Sequence, residues 1–209
     1  MINETSVAEL VMAWGTGWAA SRRTPAPVAV PGGFRVDVDE PGHRVRHVLH
    51  DLGALPALDV DAVPGAWVKA VAEPGDLHAA LPGWTPGPPG YLMTGPVTTD
   101  VPAAPEGYSV EAGEEPGVLA VSVRDAAGAA AYGRLGLAGD FGVLDKIVTE
   151  PGHRRRGLGR LVVAVLLAEA GARGVGTGLL VGTDDGRALY RALGWSDRAP
   201  LPSAYVPEP

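Results

Sequence analysis

The chain contains no cysteine and only two lysines, Lys69 and Lys146. The first absence excludes disulfides, thiol nucleophiles and thiolate-bound zinc or iron–sulfur clusters. The second leaves almost all basic charge to arginine. Positive charge is also outnumbered, with 17 Lys and Arg against 24 Asp and Glu and a net charge of −7, which argues against wholesale nucleic-acid binding. No apolar run reaches the ~20 residues of a membrane span, and the N-terminus lacks a charged segment followed by a long apolar one. A soluble cytoplasmic protein is the expectation.

Glycine and proline are abundant, at 30 and 20 of 209 residues, so turns are many and elements short. Hydrophobic content of 46% suits a globular core, in one large or two small domains.

The most informative stretch runs from Asp140 to Arg173. Val143, Leu144, Ile147 and Val148 make a mostly apolar, β-branched run that ends at Pro151, which reads as a strand. Leu158 to Ala172 is Ala/Leu-rich and free of proline, which reads as a helix ended by Gly171 and Gly174. The joint is Arg154-Arg155-Arg156-Gly157-Leu158-Gly159, followed by Arg160. A helix that starts here offers unpaired N–H groups and a positive dipole end. Two glycines let a ligand approach the backbone, and four arginines add charge. The result is an anion cradle suited to pyrophosphate.

The Arg-x-x-Gly-x-Gly spacing resembles the acetyl-CoA pyrophosphate loop of the GNAT superfamily of N-acetyltransferases. It is neither the dinucleotide fingerprint nor a P-loop. A second motif, Thr183-Asp184-Asp185-Gly186-Arg187-Ala188-Leu189-Tyr190-Arg191-Ala192-Leu193-Gly194-Trp195, is similar to the segment that closes the family's domain. The resemblance implies an α/β fold of GNAT type, a central mixed β-sheet flanked by helices. It implies acetyl-CoA as co-substrate, no metal, and no nucleic-acid or membrane partner. A homodimer is one arrangement open to it. It implies CoA contacts from Ile147, Val148, Thr149, Arg154, Arg155, Arg156, Gly157, Leu158, Gly159, Arg160 and Thr183. Backbone groups of Ile147 and Thr149 would pair with pantetheine and acetyl on a strand splayed from its neighbour. Thr183 stands where the family often has Asn. Tyr190 would protonate the leaving thiolate; the alternative for the side chain is an amphipathic core tyrosine.

Transfer to an amine needs the neutral amine. An alkyl amine with pKa near 10.4 is about 99.9% protonated at pH 7, so about 4–5 kcal/mol must be overcome and a base is expected. Asp145, on the strand that flanks the thioester in the family, is the candidate base; pairing with a nearby arginine is the alternative.

Along the chain, helix is expected from residue 4 to 22, strand from Phe34 to Val38, and, after Glu40-Pro41-Gly42-His43-Arg44, a short helical piece to about Leu52. Strand follows at Ala66 to Ala72, helical turns at Asp76 to Leu81, and strand at Tyr91 to Val97. The segment from Val101 to Pro105 reads as a linker. Strands at Tyr108 to Glu111, Val118 to Arg124 and Ala129 to Leu137 precede the strand and helix above. Strand at Val175 to Gly182, helix at Gly186 to Leu193 and a closing strand at Ala204 to Val206 complete it. The helix pair that usually separates the family's first two strands is absent.

Glu40-Pro41-Gly42-His43-Arg44 recurs as Glu150-Pro151-Gly152-His153-Arg154 at an offset of 110, and Gly75, Gly83 and Trp84 recur as Gly186, Gly194 and Trp195 at 111. This reads as a pseudo-duplication: residues 1–100 as a degenerate, structural copy that supplies a wall of the acceptor site, and residues 101–209 as the catalytic copy. In that alignment His47 and Leu49 stand where Gly157 and Gly159 stand, so the first copy is not expected to bind CoA. His43, His47 and His50 share a helical spacing that could face a metal, although no carboxylate motif completes such a site.

The function expected is acetyl transfer from acetyl-CoA directly to a primary amine of a small molecule or protein. A non-catalytic acyl-CoA-binding regulatory module is the alternative. The acidic net charge favours a cationic acceptor.

Overall fold

Ser6 and Glu9 form a reciprocal capping box, so the first helix, α1 (Val7–Arg22), starts where that pair satisfies two free donors. The computed structural model describes residues 5–58 and 60–209; Glu4, where the expected helix begins, lies outside them. The cap contributes about 1 kcal/mol. Burial contributes more, because Leu10, Val11, Trp14 and Trp18 are all in the core and each is worth about 1.5–3 kcal/mol.

Strands β1 (Val28–Val30), β2 (Gly33–Glu40), β3 (His43–Leu49) and β4 (Ala66–Ala70) follow, then α2 (Pro74–Ala80), β5 (Thr85–Pro86) and β6 (Tyr91–Pro96). The second half holds β7 (Ser109–Glu115), β8 (Val118–Asp125), β9 (Gly128–Ala138) and β10 (Phe141–Thr149). It continues with α3 (Leu158–Gly171), β11 (Thr177–Gly182), α4 (Asp184–Ala192), β12 (Ser196–Pro200) and β13 (Ser203–Tyr205). The fold is mixed α/β, as the motifs imply. One sheet has the order β1-β2-β3-β4-β13-β5 and the other β12-β6-β11-β10-β9-β8-β7.

The two sheets show a pseudo-duplication with exchanged strands. An offset of 111 takes Ala66, the first residue of β4, to Thr177, the first of β11. It also takes Thr85 of β5 to Ser196 of β12. In each sheet the strand pair so related is separated by the last strand of the other half: β13 lies between β4 and β5, and β6 between β11 and β12. The boundary between the sheets therefore does not coincide with residue 100.

Two expectations need correction. The segment after Glu40 is not helical: Pro41 and Gly42 turn a hairpin in which Glu40 pairs with His43, and β3 follows. From 43 to 47 the arginines alternate with His43, Val45 and His47, a period of two that outweighed the helical spacing of the histidines. His43, His47 and His50 therefore share no helix face. For the same reason His47 and Leu49 do not stand where Gly157 and Gly159 stand. Both are buried in β3, which pairs in parallel with β4 just as β10 pairs with β11. The first half joins its parallel pair through a short 3-10 turn, Leu52–Ala57, where the second half has the arginine–glycine loop and α3. The same five letters thus turn a hairpin in one place and lead into a helix in the other.

Helix α1 lies between the sheets. Its tryptophans and leucine pack with Phe34, Val36 and Val48 of the first sheet and with Val143 and Leu179 of the second. Gly17 and Gly136 of β9 meet backbone to backbone: a Cβ on Gly136 would stand 2.0 Å from the Gly17 carbonyl oxygen. Helix α3 covers the opposite face of the second sheet, with Val162 and Leu166 over Gly133. The face that lacks a helix pair between β7 and β8 is thus covered by α1 from the N-terminus.

Candidate functional site: the splayed strands and the arginine–glycine loop

Strand β10 pairs with β11 only from Phe141 to Val143; beyond Val143 the two strands part, and β11 continues against β6 alone. A bulge follows in the β9–β10 ladder between Asp145 and Val148, where Lys146 takes the left-handed φ of 52°. The backbone of Ile147 to Thr149 is thereby freed on its β11 side.

The arginine–glycine loop closes the far end of this opening. Gly157 is the N-cap of α3 with φ of 80°, a conformation that costs glycine little, and no side chain caps the helix. A Cβ on Gly159 would meet the Thr149 hydroxyl at 3.3 Å, so the glycine keeps the strand end and helix start open to each other. A groove of about 640 Å³ results. It is lined by Ile147, Val148 and Thr149 of β10, by Arg154, Arg155 and Arg160, and by Gly157, Leu158 and Gly159. Thr183 lies across the groove, and its hydroxyl caps α4 by accepting from the Gly186 N–H at 3.3 Å.

Ten of the eleven residues expected to contact CoA therefore share one groove. Arg156 does not: its guanidinium donates to the Tyr108 hydroxyl at 2.9 Å, and Tyr108 in turn lies 2.9 Å from His153 Nδ1. Arg154 donates to the Thr149 carbonyl at 3.3 Å, which ties the loop to the strand. Asp185, Gly186 and Leu189 also line the groove. They sit in the second motif, where their place on the helix facing the loop is a signal the sequence carries.

Tyr190 is buried, with its ring 5.3 Å from that of Trp195. Burial, with the nearby charge of Asp145 adding to it, raises its phenol above the ordinary tyrosine range, so it stays protonated. Asp145 lies on the α1 side of the second sheet. Its Oδ2 accepts from Ser21 Oγ at 2.8 Å and from Arg22 Nε at 2.9 Å, and its Oδ1 from Arg22 Nη2 at 2.9 Å. Those α1 partners are more than 120 residues away, and no local pattern announces them. Among the described residues, no helix is long and apolar enough to cross a membrane and no cluster of three His, Cys, Asp or Glu could hold a metal ion.

Residues 95–195 match the model of the Acetyltransferase (GNAT) family. No curated protein sequence matches the chain. Among solved structures, a GCN5-related N-acetyltransferase from Kribbella flavida is 18% identical, with a TM-score of 0.70 over 98% of both chains. One from Sphaerobacter thermophilus is 12% identical, with a TM-score of 0.58 over 82% of this chain and 75% of that one. A tandem GNAT protein from the clavulanic acid biosynthesis pathway is 16% identical, with a TM-score of 0.50 over 68% of this chain and 65% of that one. These likenesses concern the fold. The family match covers β10, the arginine–glycine loop, α3 and α4 together, so over residues 95–195 the chain is similar to an acetyltransferase domain of the GNAT family.

Proposed function

We propose that the protein transfers an acetyl group from acetyl-CoA directly to a primary amine. The observation that carries this is the parting of β10 from β11 after Val143, opposite the uncapped start of α3. A slot with free strand backbone at one end and a cationic helix start at the other suits a long ligand with an amide-bearing arm and a pyrophosphate. Acetyl-CoA is such a ligand, and it supplies an activated acyl thioester. Arg154, Arg155, Arg160 and the α3 N-terminus would hold its phosphates. Backbone groups of Ile147 and Thr149 would hold its arm and the acyl carbonyl.

Tyr190 would serve as the acid. Its phenol is protonated, and it makes no hydrogen bond to a described side chain that would compete for the proton. Asp145 receives the proton lost by the amine. Ser21 and Arg22 occupy three of the roughly four lone-pair sites of its carboxylate, which leaves one on Oδ1. The first hundred residues border the acceptor side through β3, β4 and α1.

The test is release of free thiol from acetyl-CoA with a panel of amines that includes polyamines, amino acids and peptide N-termini. Thiol release that depends on the amine and an acetylated product supports transfer. Saturable CoA binding with no acetylated product from any amine would instead favour a binding module.

A further inference from the structure

Strands β3 and β4 and helix α1 bring basic side chains together around two tryptophans, on the side of the second sheet that carries Asp145. The Arg46 guanidinium lies 4.7 Å from the Trp18 ring centre and 5.8 Å from that of Trp67. Arg22 lies 5.0 Å from the Trp18 ring. The His43 ring stands between the two tryptophans, 6.0 Å from Trp18 and 5.5 Å from Trp67. Lys69, two residues beyond Trp67, is buried. Arg46 Nε and His43 Nε2 are sealed from solvent and have no hydrogen-bond partner.

The charges here are one-sided. His43 is held down to about 3 by burial and then by Arg46, Arg22 and Lys69, so it is neutral. Burial and Arg46 bring Lys69 down to about 7, and burial and Arg22 lower Arg46 to about 9. The carboxylate that opposes this for Arg46 is Asp145, which Arg22 and Ser21 already occupy. Asp145, with three of its lone-pair sites filled by Arg22 and Ser21, is thus the carboxylate set against Arg22 and Arg46, and none is set against Lys69, in a chain with more acids than bases. The tryptophan faces favour the guanidinium but offer no atom to accept from its Nε–H. A donor on a cation that is sealed from solvent without an acceptor is costly, and such groups mark places where a ligand or ion supplies the missing partner. Asp145 also acts on Tyr190, so the cluster and the proposed acid lie around the same carboxylate.

We infer that Arg46, His43 and Lys69 form the pocket for a carboxylate carried by the acceptor, on the same molecule as the amine that receives the acetyl group. The inference rests on the acetyl-transfer reading above and deepens it. A dication such as a polyamine, which the net charge favours, would meet like charges here; an amino acid brings the anion that the cluster lacks. Half-buried His43, Arg46 and Trp67 leave the cluster reachable from solvent.

The test pairs amines that differ only in the carboxylate: phenylalanine with 2-phenylethylamine, and ornithine with putrescine. Binding to the full chain is measured by calorimetry with CoA present, and thiol release from acetyl-CoA is measured separately. The expected result is that the carboxylate member of a pair binds at least about tenfold tighter. Arg46→Gln should erase the difference and Arg46→Lys restore part of it, with CoA binding unchanged. If Arg46→Gln does not fold, competition by 3-phenylpropionate in the parent protein reads the same site. Equal or tighter binding of the decarboxylated amines, or no binding of any member at millimolar concentration, would overturn the inference. Carboxylate-selective binding without thiol release would leave the pocket standing and remove acetyl transfer.

Discussion

Arg22 grips Asp145 with two parallel hydrogen bonds of 2.9 Å, one from Nε and one from Nη2, and so ties the last turn of α1 to the bulged strand β10. The pair is unequal in exposure: the Arg22 side chain is 34% accessible and that of Asp145 10%. Arg22 can be rehydrated when its partner goes; the carboxylate cannot. Arg22→Gln should therefore cost more stability than Asp145→Asn, about 1–3 kcal/mol in urea melts. Turnover should rank the other way, with Asp145→Asn the slower enzyme because it alone loses the proton acceptor. If both variants lose turnover in proportion to stability, Asp145 is an anchor and not a base.

Gly159, lacking a Cβ, leaves the strand end at Thr149 and the start of α3 open to each other. Gly159→Val would place side-chain atoms against Thr149 and into the groove. CoA should no longer raise the melting temperature of this variant, while its melting temperature without CoA stays close to the parent's. Gly152→Leu, where a Cβ meets nothing within 4 Å, is the control and should respond to CoA normally.

Tyr190→Phe keeps the ring that packs on Trp195 and removes the proton. A positioned acid is worth roughly 10²–10⁴ in rate, and a thiolate leaving group places the expected loss in kcat near the lower end, about a hundredfold, with CoA affinity unchanged. Because burial raises the phenol above its ordinary range, Tyr190 should not produce a fall in kcat below about pH 10. Parent-like turnover in Tyr190→Phe would return the residue to a packing role.

Lys69 makes stability depend on pH. Its folded pKa of about 7 lies below the ordinary 10.5, so between those values the unfolded chain binds a proton that the folded chain does not. Stability rises with pH wherever the unfolded state holds more protons. The penalty for burying the charged amine is therefore complete below about pH 7 and is relieved as pH rises toward about 10.5. Lys69→Met should be more stable than the parent in urea melts at about pH 6, and the gap should shrink steadily up to about pH 10. A gap that does not change with pH would contradict the burial of a titrating amine.

Exchange of β6 and β13 predicts that neither half is self-sufficient. Residues 101–209 alone lack β6, which fills the space between β11 and β12, and also lack α1 over Val143 and Leu179. This fragment should show no cooperative unfolding transition by itself and regain one when mixed with residues 1–100. A fragment that melts cooperatively and turns over acetyl-CoA alone would refute the dependence.

The local parts of the site were legible in the sequence because they depend on near neighbours. Arginine spacing, the two glycines and an apolar run free of proline specify a strand, a loop and a helix start within twenty residues, and all three are where they were expected. The Pro-Gly repeat misled for the same reason: five residues carry turn chemistry but do not determine the element after the turn, and β3 came from alternation that the histidine spacing obscured. Three features have no local signal. The parting of β10 from β11 depends on which strands lie beside them. The pairing of Asp145 with Arg22 bridges 123 positions. The gathering of His43, Arg46 and Lys69 around Trp18 and Trp67 needs α1 to lie between two sheets. Hydrophobic burial of α1 against both sheets settles the last two, and that is a property of the packed chain, since the helix reads the same by itself whichever surface it covers.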